Sequence, residues 1–138
     1  MKFDYREIGS RRKRPFIPIK IKNPKNGKVV DCFALVDSGS DCNLFAPVLG
    51  EIIGVDIEKG IQRPISGVVA GERRGYFEHT LEFEVGGWTF PTTVGFMPGI
   101  SSQAGEGVLG QSGFFDQFSF VKFDKRKNVV ELGNFVRD

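Results

Sequence analysis

Histidine is almost missing from this chain of 138 residues; His79 is the only one. The cysteines are two, Cys32 and Cys42, and no Cys-x-x-Cys pair exists. A zinc centre would lack ligands, so no metal is expected. A Ser-His-Asp triad would have to use His79, which lies in an alternating segment and reads as an exposed strand residue. Gly110-Gln111-Ser112-Gly113-Phe114 lacks the last glycine of a nucleophile elbow. No stretch approaches the roughly 20 apolar residues of a membrane span. Lys2, Asp4, Arg6 and Glu7 charge the first residues where a secretory leader needs an apolar core. Low-complexity runs and internal repeats are absent too. A cytoplasmic protein away from membranes is expected, with both cysteines as thiols in a reducing compartment.

What is present points to β-structure. Eighteen glycines and seven prolines supply many turns, and fourteen phenylalanines supply a ring-rich core. The length fits one domain. The net charge of +2 hides an asymmetry. Residues 1–28 hold ten Lys/Arg and two Asp/Glu, a local +8; residues 29–138 hold nine and fifteen, a local −6. Residues 1–13 are expected to be a basic, solvated, mobile arm, and residues 14–138 the domain. The Arg11-Arg12-Lys13-Arg14 run suits nucleic acid or an acidic partner, but the acidic body argues against nucleic acid as the main ligand.

Along the chain, Phe16 to Ile21 alternates and reads as a strand, its prolines assigning it to a sheet edge. Asn23 to Lys28 is turn chemistry, with Asn26-Gly27 a strong hairpin signal. Val29 to Val36 reads as the next strand. Asn43-Leu44-Phe45 looks extended, and Pro47 to Ile53 reads as a short helix. Gly67 to Gly75 reads as a projecting hairpin, with Tyr76 at its base or in the core. Tyr76 to Val85 and Trp88 to Phe96 are strands around a Gly86-Gly87 turn. Residues 97–107 read as a loop, Ser112 to Gln117 as a short helix, and Phe118 to Phe123 and Val129 to Leu132 as the last strands. Short strands joined by turns predict an all-β barrel or sandwich. Gly105 to Gly110 fits G-x-G-x-x-G but lacks the βαβ setting that a dinucleotide needs.

The richest stretch is Ala34-Leu35-Val36-Asp37-Ser38-Gly39-Ser40. An apolar strand delivers one carboxylate into a Ser-Gly-Ser loop. Gly39 allows a sharp turn that brings a backbone N–H to the acid, and the hydroxyls of Ser38 and Ser40 are candidates to fix the loop. This resembles the Asp-(Thr/Ser)-Gly-(Ser/Ala) signature of aspartic peptidases. One copy in a chain of this length resembles the retropepsin-like family, prokaryotic type. Two further elements extend the likeness over most of residues 14–133: the glycine-rich hairpin at 67–75, where the family carries its flap, and Val108-Leu109-Gly110, whose strand crosses behind the catalytic loop.

The resemblance implies an all-β retropepsin-like barrel with one short C-terminal helix, acting as a homodimer on a protein or peptide substrate without a cofactor. Asp37 of each subunit would be catalytic. Ser38, Gly39, Ser40 and Gly110 would support the loop, Ser38 by bonding across the two-fold axis; the Ser40 hydroxyl, by its own chemistry, is expected to donate to Asp37 and favour its charged form. Gly67, Val69, Ala70 and Gly71 would form the flap over an extended peptide. Residues before Arg14 would pair in the dimer or be trimmed. One departure stands out: the family often pairs the acid at Asp41 with an arginine directly after the second-element glycine, and here that position is Gln111. A catalytically silent dimer that binds an extended peptide or a protein is the alternative reading. An inactive single subunit is the third.

Overall fold

The computed structural model describes residues 1–66, 73–100 and 103–136. Three short strands come first: β1 (Lys2–Asp4), β2 (Arg6–Glu7) and β3 (Lys13–Arg14). Then come β4 (Phe16–Lys22), β5 (Val29–Val36), the two-residue β6 (Leu44–Phe45), helix α1 (Pro47–Ile52) and a 3-10 turn at Ile57–Lys59. The second half holds β7 (Ile61–Ser66), β8 (Arg73–Val85), β9 (Trp88–Phe96), β10 (Gln103–Leu109), a 3-10 turn at Phe115–Gln117, β11 (Val121–Asp124) and β12 (Val129–Leu132).

Alternation builds the first long hairpin. In β4, Ile17, Ile19 and Ile21 are buried while Pro18, Lys20 and Lys22 are exposed; β5 buries Cys32, Ala34 and Val36. The two strands pair from Phe16↔Leu35 to Lys22↔Val29. Gly27 turns the chain at φ 76°, where a side chain would be strained. The Asn23 and Asn26 amides both donate to the Ile53 carbonyl, at 2.9 and 3.0 Å, so this turn also caps the end of α1. Pro47 opens that helix, where a missing N–H costs nothing.

Seven strands run in the order β4-β5-β10-β6-β9-β8-β7, and a further β4–β8 pairing at Lys20–Lys22 closes the sheet into a barrel. This closure corrects the assignment of β4 to an edge. The β8 pairing covers only Lys20–Lys22, so Pro18 lies beyond it and its missing N–H is tolerated. Phe45, Phe83, Phe96 and Phe114 are fully buried in the core, and Phe16 is fully buried on the other face of β4. Phe135 packs on Trp88 and Phe90, at 5.1 and 5.4 Å between ring centroids, and docks the C-terminal segment onto β9. Burying one such ring contributes about 2 kcal/mol.

Several expectations at the element level are corrected. Residues 1–13 are not a free arm. β1 pairs antiparallel with β12, whose other edge takes β11. Phe3 packs on the core, and the Met1 amino group donates to the Leu132 carbonyl at 3.1 Å. β2 and β3 form a hairpin, Arg6↔Arg14, that leaves Arg11 to Arg14 exposed. The 97–107 stretch is strand from Gln103 onward, and the second helix is only the 3-10 turn at Phe115–Gln117. The strand read at Phe118 to Phe123 begins at Val121, with Phe118 in an isolated bridge to Phe135. No helix among the described residues is long and apolar enough to cross a membrane.

Candidate active site

Asp37 stands one residue past β5. Strand β10 runs between β5 and β6, parallel to the first (Val108↔Leu35, Leu109↔Val36) and antiparallel to the second (Gly107↔Phe45, Val108↔Leu44). The loop from Asp37 to Asn43 therefore leaves on one side of β10 and returns on the other. Three backbone bonds tie it down. Asp37 N–H donates to Leu109 at 3.0 Å, Gln111 N–H to Ser40 at 2.9 Å and Ser112 N–H to Asp41 at 2.9 Å. Gly110 lies where the two segments meet. A Cβ there would overlap the Cys42 backbone, so only glycine fits.

Within the loop, Asp37 Oδ1 accepts the Gly39 N–H at 2.9 Å, the backbone contact that the Ser-Gly-Ser order led us to expect. Asp37 is half-buried; Ser38 and Gly39 are exposed. Ser40 is a correction. Its hydroxyl donates to the Cys42 carbonyl at 2.7 Å, not to Asp37, and so fixes the loop rather than the acid. Gln111 does not pair with the exposed Asp41. Its side-chain amide donates to the Ser38 carbonyl at 2.9 Å, binding loop backbone where an arginine would have met a carboxylate.

One residue escaped sequence reasoning. Asn43 is fully buried. Its Oδ1 accepts the Gly110 N–H at 3.1 Å, and its Nδ2 donates to the Thr93 carbonyl at 3.1 Å. The Thr92 hydroxyl beside it donates to the Gly113 carbonyl at 2.7 Å. One amide thus joins the loop, the Gly110 segment and β9. Asn after Asp-Cys looks like ordinary turn chemistry; its partners lie far along the chain, so no local signal marks it.

A cleft of about 280 Å³ opens between the loop, from Gly39 to Cys42, and the base of the β7–β8 hairpin at Pro64, Ile65 and Tyr76. Tyr76 stands opposite Arg63 at that base. Burial, then the Cys42 thiol beside it, push its phenol up to about 12. Burial likewise raises the Cys42 thiol, with Tyr76 acting in the opposite sense. No disulfide joins Cys42 to Cys32, which is buried inside the barrel. The residues expected at the flap tip, Gly67, Val69, Ala70 and Gly71, lie outside the described residues. The strands on either side of them pair antiparallel up to Ser66↔Arg73.

His79 also departs from expectation. It is half-buried, its Nε2 is 2.8 Å from the Ile57 carbonyl, and its ring meets Phe96 edge-on at 5.8 Å. This is a packing role. A larger cleft, about 620 Å³, opens over Pro18, Cys32 and Phe33, away from Asp37. Its Asp31 and Lys20 form an exposed ion pair at 3.6 Å.

No family model matches the sequence, and no curated protein matches it. Among solved structures, the chain is similar to a retropepsin-like aspartic protease from Rickettsia conorii, at 17% identity and a TM-score of 0.61, over 96% of this chain and 90% of that one. It is also similar to EIAV protease complexed with the inhibitor HBY-793, at 17% identity and a TM-score of 0.43, over 72% of this chain and 84% of that one. The first likeness spans nearly the whole molecule, and with the strand order and the β5–β10–β6 crossing it establishes that this chain has the retropepsin-like fold.

Proposed function

We propose that the protein is an aspartic endopeptidase that works as a homodimer, with Asp37 of each subunit forming one catalytic pair. The observation that carries this reading is the Asp37 loop, held by Leu109 and Gly110 from behind and presenting a half-buried carboxylate at the surface. A single subunit has one such acid. Peptide hydrolysis needs a base for water and an acid for the leaving amine. Two carboxylates about 3 Å apart cannot both ionise, so they share one proton and divide the two roles. The charged Asp37 takes a proton from water, whose oxygen attacks the peptide carbonyl carbon. The protonated Asp37 gives its proton to the carbonyl oxygen as a gem-diol forms. The first Asp37 then passes the proton taken from water to the leaving amine, the C–N bond breaks, and the diol returns a proton to the second Asp37, restoring the shared proton.

The other residues support this cycle. The Gly39 N–H engages Oδ1 of Asp37 and leaves Oδ2 for the reaction. Ser38, exposed beside it, is the group proposed to bond across the two-fold axis. The segment with Gly67, Val69, Ala70 and Gly71 would close over an extended peptide, which binds as an added strand and is read by side-chain pockets such as the one at Tyr76. The chemistry requires no metal or cofactor.

The test is cleavage of an unfolded protein across about pH 3–8, native chain against Asp37→Asn, at matched dimer concentration. The expected result is cleavage by the native chain, lost in the variant. Equal cleavage by both would remove Asp37 from the chemistry. No cleavage by either, with a dimer in solution, would favour the silent peptide-binding dimer.

A further inference from the structure

The basic run at Arg11 to Arg14 and the turn after β11 are distant in sequence and adjacent in the fold. Tyr5 N–H donates to the Asn128 carbonyl at 2.7 Å, which holds the chain entering the β2–β3 hairpin against the β11–β12 turn. Arg11, Arg12, Lys13, Arg14 and Lys125 line one cleft there, of about 530 Å³. All five are exposed, and none is in an ion pair among the described residues. Among the described residues, Glu7 is the one carboxylate lining the cleft. Five cations against one carboxylate concentrate positive potential there, on a chain whose residues 29–138 carry a net −6.

We propose that this cleft binds an acidic stretch of polypeptide and so gathers acidic substrates to the Asp37 loop. The second half rests on the peptidase reading. The path to the loop is short. Arg14 ends β3, and the next residue, Pro15, accepts the N–H of Val36, which precedes Asp37, at 2.9 Å. Guanidinium forks suit the carboxylates of Glu and Asp bidentately. Nucleic acid fits less well. No aromatic side chain among the described residues lines the cleft, so bases find no stacking platform there. Asp4 and Asp124 both stand opposite Val129, next to the Asn128 that lines the cleft, and a continuing phosphate backbone would run onto them. A short acidic segment stops before that point.

The experiment measures fluorescence anisotropy of a labelled oligoglutamate with full-length Asp37→Asn protein, beside an oligoglutamine and a single-stranded oligonucleotide of equal length. Oligoglutamate is expected to bind tightest, and to weaken about tenfold when NaCl rises from about 25 to about 300 mM. Arg11→Glu/Arg12→Glu, both exposed and outside the paired strands, is expected to abolish binding, and Lys125→Glu to weaken it. Oligoglutamate binding no better than oligoglutamine, binding unchanged in the double variant, or tighter binding of the oligonucleotide would each overturn the proposal. The two readings fail separately. Binding without cleavage by the native chain keeps the acidic-peptide site and removes only the peptidase. Cleavage without binding removes only the site.

Discussion

Ser40 shows how one hydrogen bond redirects an expectation. Its hydroxyl serves the Cys42 carbonyl, not Asp37. Ser40→Ala should therefore cost about 1 kcal/mol of stability and leave the position of the pH–rate profile unmoved. A profile shifted toward neutral pH would mean that Ser40 does reach the acid in the proposed dimer. Tyr76 gives a second expectation, in the alkaline range. Its phenol is raised to about 12, chiefly by burial, so the unfolded chain ionises first. The stabilisation it brings is complete below pH 10 and is lost as pH rises from 10 toward 12. Urea unfolding of Tyr76→Phe should show a shallower loss of stability through that window than the native chain. A matching slope would remove the Tyr76 contribution.

Among the elements, the crossing of β5, β10 and β6 decides the site, and Asn43 is its fastening. Asn43→Ala would leave the Gly110 N–H and the Thr93 carbonyl without their partner. Each buried unpaired group costs about 1–3 kcal/mol, so a loss of about 2–6 kcal/mol is expected in urea unfolding. A loss under about 1 kcal/mol would mean that other groups hold the crossing. This element was half legible beforehand. Val29 to Val36 and Val108-Leu109-Gly110 announce themselves as apolar runs ending at a loop and a glycine. The start of β10 does not, because Gln103 to Gly107 has no apolar alternation to mark it as strand. β1 was hidden for a similar reason: Lys2-Phe3-Asp4 offers one apolar residue, and its strand character comes from β12. β4, β9 and β12 were legible because alternation is local. The helix expected at Ser112 to Gln117 shrinks to one turn because Gly113 sits at φ 100°, outside helical geometry.

At the scale of the whole molecule, the described residues form a closed barrel with two smaller sheets beside it, and the sequence carries the Asp37-Ser38-Gly39-Ser40 loop once, which is why the proposed activity needs two copies. Its charge is divided too, basic along the β2–β3 hairpin and the turn after β11, acidic over the rest. A dimer that shares one site across two subunits has a signature that no single-chain enzyme shares. Native chain and Asp37→Asn chain would be mixed in equal amounts, allowed to exchange subunits, and assayed for cleavage of an unfolded protein. If both aspartates are needed, only native pairs cut, and about a quarter of the activity of an all-native sample at the same total concentration remains. Retention of about half would mean that each subunit acts through its own Asp37, and the shared catalytic pair would be wrong.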